Sequence, residues 1–166
     1  MKLITKEIRE KLLSNFKNED ADHTPVLKLF SPWNSATWLI TEMVEGDEDK
    51  LFGLCDLGFG SPELGYVSLS EIEDIDGPLG LRIERDMHFK PRATLSIYVG
   101  AARMESRIVF DQASLEAAYM VKCEKSGLTD DDLKAQVFCP NTGKPLSFAM
   151  IKALAEVEAK TTGTAA

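Results

Sequence analysis

The sequence predicts an α+β fold: a small antiparallel sheet of four to five strands with packed helices and a mainly helical C-terminal extension. Three observations predict it. Short runs of β-branched, aromatic and aliphatic residues recur between residues 26 and 89, divided by Gly, Pro, Asn and acidic punctuation at hairpin spacing. The segments before and after that region carry apolar residues at helical spacing instead. The chain is also long enough for a layered core. Its 166 residues, 44% hydrophobic and 28% charged, bury about 70% of their unfolded surface.

The elements follow in order. Residues 5 to 16 read as an amphipathic helix with Thr5 as its cap and Ile8, Leu12, Leu13 and Phe16 on one stripe. Residues 18 to 25 are polar and end in proline, the mark of a loop. Val26 to Phe30 and Ala36 to Val44 read as strands on either side of Ser31-Pro32-Trp33-Asn34-Ser35. The acidic run Glu45-Gly46-Asp47-Glu48-Asp49 reads as a hairpin turn, and Leu51 to Leu57 as the returning strand. Leu64 to Ser68 is a short strand leading into a helical turn from Leu69 to Ile75. Either Ser68 with Glu71 or Ser70 with Glu73 forms its capping box. Gly77-Pro78-Leu79-Gly80 closes that turn, and Leu81 to Phe89 is the last strand, stopped by Pro91.

Residues 1–92 thus form one α+β domain in this reading, and residues 93–166 a helical extension packed on or beside it. Leu115, Ala118, Tyr119, Lys122 and Cys123 keep helical spacing up to Gly127. Thr129 with Asp130 to Asp132 opens another helix, and Ser147 to Lys160 forms the last.

Nineteen Lys and Arg against 27 Asp and Glu leave a formal charge of −8, with the acidic surplus concentrated before residue 92. Proteins that bind duplex DNA replace its counterions with Lys and Arg, so free duplex DNA is an unfavourable ligand here. No run of about 18 apolar residues is present to cross a bilayer, and charges interrupt the N-terminal segment as a signal core. Three cysteines, Cys55, Cys123 and Cys139, none in a Cys-x-x-Cys pair, fit the reduced thiols of a cytoplasm. Cys139-Pro140-Asn141-Thr142-Gly143 has the look of a zinc-ribbon tip but lacks the companion ligands, so a turn is expected there. No cofactor is expected.

The densest chemistry lies in Leu81-Arg82-Ile83-Glu84-Arg85-Asp86-Met87-His88-Phe89. As a strand, it places Arg82, Glu84, Asp86 and His88 on one face. Paired carboxylates with a histidine are the residue types that hold a hard divalent cation and move a proton, and arginine grips phosphate at two points. Glu84, Asp86 and His88 are therefore the catalytic candidates of a nuclease reading, with Asp56, Glu63, Glu71 and Glu73 as further carboxylates that neighbouring strands could bring near. The plainer reading is a solvated face whose charges neutralise one another. Arg85 falls among the apolar residues of that strand and calls for a carboxylate partner, Asp56 or Glu63. Most aromatics, among them Trp38, Phe52, Phe59, Tyr66 and Phe89, are expected in the core; Trp33, in a Pro-Trp-Asn loop, is expected to be exposed and to mark a contact surface.

The stretch Glu63-Leu64-Gly65-Tyr66-Val67-Ser68-Leu69-Ser70-Glu71-Ile72, followed by Gly77-Pro78-Leu79-Gly80-Leu81-Arg82-Ile83-Glu84-Arg85-Asp86, resembles an uncharacterised family of bacterial proteins common on conjugative plasmids and integrated mobile elements. The opening Leu3-Ile4-Thr5-Lys6-Glu7 and the Trp38 strand resemble it too, over about residues 1 to 92 in all. The resemblance implies a mobile-element setting; some members carry the label single-stranded DNA endonuclease. The expectation is a non-enzymatic, cytoplasmic accessory protein acting through protein contacts. The acidic loop Glu45 to Asp49, Asp47, Glu48 and Asp49 foremost, would with Glu71 to Asp76 face a basic or nucleic-acid-binding partner, with Trp33, Arg82 and Arg85 as further binding residues. The alternative is a metal-dependent nuclease on single-stranded DNA, the one case in which a divalent metal is called for. Self-association through an apolar helix face is a third option.

Overall fold

In the computed structural model, residues 2–18 and 20–126 are described. The expected start of a helix at Thr129, the Cys139 turn, the Ser147 to Lys160 helix and the stop at Gly127 lie outside them. The elements are α1 (Lys6–Phe16), β1 (Leu27–Phe30), β2 (Thr37–Val44), β3 (Asp47–Asp56), β4 (Glu63–Ser68), α2 (Leu69–Asp74), a 3₁₀ turn (Pro78–Gly80), β5 (Glu84–Arg85), α3 (Leu95–Glu105) and α4 (Gln112–Ser126). The five strands form one sheet in the order β4-β3-β2-β1-β5, every neighbouring pair antiparallel. The α+β class and the strand number agree with the sequence.

Period-two alternation divides the sheet into two apolar faces. Leu27, Leu29, Trp38, Ile40, Met43 and Leu51 face one way and form a core with Leu12 of α1, Ile72 of α2, Leu3, Ile4 and Ile83. Leu39 and Leu54 face the other way and pack with Ile97, Tyr98, Val99, Ala101 and Ala102 of α3 and with Leu115, Ala118, Tyr119 and Cys123 of α4. The result is a three-layer arrangement, helix on sheet on helix.

Local chemistry explains the element ends. Thr5 Oγ1 accepts the Ile8 amide at 3.3 Å and opens α1. Of the two caps open to α2, the chain uses the first: Ser68 Oγ accepts the Glu71 amide at 3.1 Å. The β2–β3 register shifts between Ile40 and Glu42, which takes Thr41 out of the ladder. Its carbonyl accepts from buried Asn15 Nδ2 of α1 at 2.9 Å, and its hydroxyl donates to the Phe52 carbonyl at 3.3 Å. The carbonyl and hydroxyl of the bulged residue thus both keep partners.

Two expected elements have other boundaries. The hairpin turn is only Glu45-Gly46, with Gly46 at φ +86°, and Asp47, Glu48 and Asp49 already belong to β3. A two-residue turn with a left-handed glycine lets pairing resume at once. The expected strand Leu81 to Phe89 shrinks to the pair Glu84–Arg85. β1 stops at Phe30, so nothing before Glu84 has a strand to pair with. After Arg85, Asp86 Oδ1 takes the His88 amide at 3.0 Å and turns the chain. The predicted single face of Arg82, Glu84, Asp86 and His88 therefore does not form. The two sheet edges differ accordingly: β5 is short, whereas β4 is six residues long, with no Pro or Lys in it and with Leu64 and Tyr66 exposed.

Candidate functional site

Glu84, Asp86 and His88 do meet in one place, though not on a strand face. With Lys28, Phe30, Arg85 and Met87 they line a concavity of about 420 Å³ at the β1–β5 edge. The Asp86 carboxylate is already committed there: Oδ2 accepts from Lys28 Nζ at 3.0 Å and Oδ1 from the His88 amide. Burial pushes its pKa up, and the Lys28 ammonium and His88 amide outweigh that, leaving it below the usual carboxylate range. The Lys28 ammonium also sits 4.2 Å from the centroid of the Phe110 ring. Among the described residues, no group of three or more His, Cys, Asp or Glu is placed to hold a metal ion. Asp56 in particular lines a different concavity, with Ser35, Gly58, Gly60, Ser106, Arg107 and Ile108.

Arg85 takes neither expected carboxylate. Its guanidinium donates to the Leu3 carbonyl at 3.1 Å, fastening the N-terminal segment to β5. Asp56, only 3% exposed, has a different task. It accepts the Gly58 amide at 2.8 Å and the Ile108 amide at 2.9 Å, joining the end of β3 to the segment after α3. Arg82 pairs with Asp76 at 2.8 Å and donates to the Glu73 carbonyl at 3.2 Å, so it clasps the two limbs of the turn between them.

The expected contact surface is also redistributed. Trp33 is half-buried and packs against the α1-side core. Its ring lies so close under Gly77 that a Cβ there would come within 2.6 Å of it, which is why the position is glycine. Among the described residues the exposed aromatics are instead Phe59, 87% accessible on the loop between β3 and β4, and Tyr66 on the β4 edge, two of those expected in the core.

The hairpin carboxylates serve the fold. Glu45 pairs with Lys17 at 2.8 Å and Glu48 with Arg9, tying the hairpin to the C-cap and to the body of α1. Asp49 accepts the Ser68 hydroxyl at 2.6 Å and the Ser70 amide at 2.7 Å, closing the N-terminus of α2 from the next strand. Those hydrogen bonds, the Ser68 one foremost, lower its pKa. Asp47 is exposed. On α2, by contrast, Glu71, Glu73 and Asp74 all point to solvent, and Asp76 follows them.

Two features had no local signal in the sequence. Asp22 accepts the Ser96 amide at 3.1 Å and its hydroxyl at 2.5 Å, while Lys122 of α4 reaches Asp22 at 3.3 Å and Ser96 Oγ at 2.6 Å. His23 Nε2 contacts the Asn15 and Asn18 carbonyls at 3.0 and 2.9 Å, and the His23 carbonyl accepts the Leu95 amide. This clasp closes the start of α3 with residues from the loop after α1 and from α4. The second feature is Leu79, fully exposed and at φ 57°, a left-handed leucine at the tip of the Pro78–Gly80 turn. Cys55 is a free, partly buried thiol, and burial pushes its pKa up to about 11. No helix among the described residues is long and apolar enough to cross a membrane.

Residues 3–109 match the family described as "Protein of unknown function (DUF2958)". The match runs past the expected end near residue 92 and takes in all of α3. Comparison with curated proteins and with solved structures finds no match.

Proposed function

The chain belongs to this family of unknown function, and from that premise we propose that it is a non-enzymatic accessory protein working through protein contacts, with an acidic surface that engages a basic or nucleic-acid-binding partner. The observation that carries this reading is the run of outward carboxylates Glu71, Glu73 and Asp74 on α2, on a chain of formal charge −8. Such a surface speeds encounter with a cationic partner and discourages free duplex DNA. Three cysteines, none of them in a Cys-x-x-Cys pair, support a cytoplasmic setting, and the sequence resemblance supports a mobile genetic element as its context. The test is affinity capture with the full chain across a salt series. A partner retained at low ionic strength and released as salt rises is the expected result. Capture unchanged by the triple variant Glu71→Lys, Glu73→Lys, Asp74→Lys would overturn the reading.

A second reading, divalent-metal cleavage of single-stranded DNA, is favoured by one observation: Glu84, Asp86 and His88 line one concavity with Lys28 and Arg85. It asks the Asp86 carboxylate to leave Lys28 and the His88 amide. Labelled single-stranded DNA with Mg²⁺ or Mn²⁺ decides the matter: cleavage lost in both Glu84→Ala and Asp86→Ala supports it, and intact DNA with either ion rejects it.

A further inference from the structure

Beside the Pro78–Gly80 turn lies a cleft of about 540 Å³ lined by Leu3, Glu73, Gly80, Leu81, Arg82, Ile83 and Glu84. Its floor is apolar: Leu3 and Ile83 are buried in the α1-side core, and Leu81 is partly uncovered. Two exposed carboxylates, Glu73 and Glu84, stand on its walls. The one cation in the lining, Arg82, is turned to Asp76 and to a backbone carbonyl. At its rim Leu79 projects fully into solvent on a turn anchored through Gly77 to Trp33.

We infer that this cleft, with Leu79 beside it, is the docking site of that basic partner, and that it receives a Lys or Arg side chain flanked by an apolar residue. The inference rests on the reading above and assigns it a place. A long cationic side chain suits the cleft on both counts: its methylene stem lies on Leu81 and the buried leucine and isoleucine, and its charged head meets Glu73 and Glu84. Leu79 then enters an apolar hollow on the partner, a protruding side chain on a braced turn of the kind that anchors interfaces. The charge complement selects a basic protein segment over a second copy of this acidic chain, which would bring further carboxylates to the same place.

The experiment selects short displayed peptides on the full chain and measures the affinity of the winners by fluorescence polarisation. Winners carrying Lys or Arg next to an apolar residue are expected. Their affinity should fall about tenfold or more in Glu73→Lys, in Glu84→Lys and in Leu79→Asn, a residue that tolerates the left-handed backbone and so keeps the turn. Asp47→Lys should change it less than about twofold. Basic peptides that bind equally well to Glu84→Lys and Leu79→Asn would overturn this site while leaving the broader reading standing. No basic winners at all would overturn both. A dimer in light scattering that Leu79→Asn dissolves would make a second copy the occupant and refute the inference.

Discussion

Two acidic segments of similar composition, Glu45–Asp49 at the β2–β3 hairpin and Glu71–Asp76 on and after α2, serve the molecule differently. In the first, Glu45, Glu48 and Asp49 are drawn back onto Lys17, Arg9 and the start of α2. In the second, Glu71, Glu73 and Asp74 face water, and only Asp76 is held, by Arg82. A count of negative charges therefore does not say which are available to a partner. A hairpin carboxylate lies within reach of the backbone amides and basic side chains of the next element, whereas those on the outer face of a short helix have none opposite them.

The comparison can be broken from the side of the inward carboxylates. Asp56, at the end of the same strand β3, is the extreme case: Asp56→Ala leaves two amides near the core without an acceptor and should cost about 3 kcal/mol in urea unfolding. A loss no larger than that of a surface change would mean that these carboxylates are ornamental. Next comes the strain on the outward side. Leu79→Gly should raise stability by about 1 kcal/mol, because glycine relieves the left-handed backbone and an exposed leucine contributes no burial. Peptide affinity should fall in the same variant, and stability gained together with binding lost is the signature of a residue kept for contact.

Titration sharpens the contrast further. Asp86 and Asp111 have lowered pKa values, the first through Lys28 and the His88 amide against the pull of burial, the second chiefly through the Ser114 amide. A lowered carboxylate contributes stability that is complete above its unfolded pKa and lost as pH falls through its folded one. The urea midpoint should thus drop between about pH 5 and pH 2, and Asp86→Asn should drop less over that span. The smallest effect belongs to α2. Neutralising Glu71, Glu73 and Asp74 one at a time should each move stability by no more than about 0.5 kcal/mol, measured by the same unfolding curve.

Legibility in the sequence follows the distance over which each feature is made. The Thr5 cap, the Ser68 cap (one of the two positions the pattern offered) and the Leu115, Ala118, Tyr119, Cys123 stripe are written within a turn or two of chain, and each is seen in the fold. The site residues were harder. Trp33 has the neighbours of an exposed loop residue, and only the return of the chain at Gly77 covers it. Arg85 needed a partner that the segment ahead of α1 supplies as a carbonyl. Asp49 closes a helix from an adjacent strand, and Asp22 meets Lys122 one hundred positions away; no window of sequence holds such pairs. The strand expected at Leu81 to Phe89 failed for a related reason, since its length was decided by where β1 stops.

The six-residue β4 edge has a consequence for handling the protein in quantity. Its outer backbone groups form a ready template for another extended strand, and the bulges, prolines and lysines that usually blunt such a margin are not in it. Mutual repulsion between copies of formal charge −8 takes over that protective duty. Acidification toward the isoelectric point, or salt concentrated enough to shorten the screening length, removes the repulsion and should favour edge-to-edge association of copies through β4.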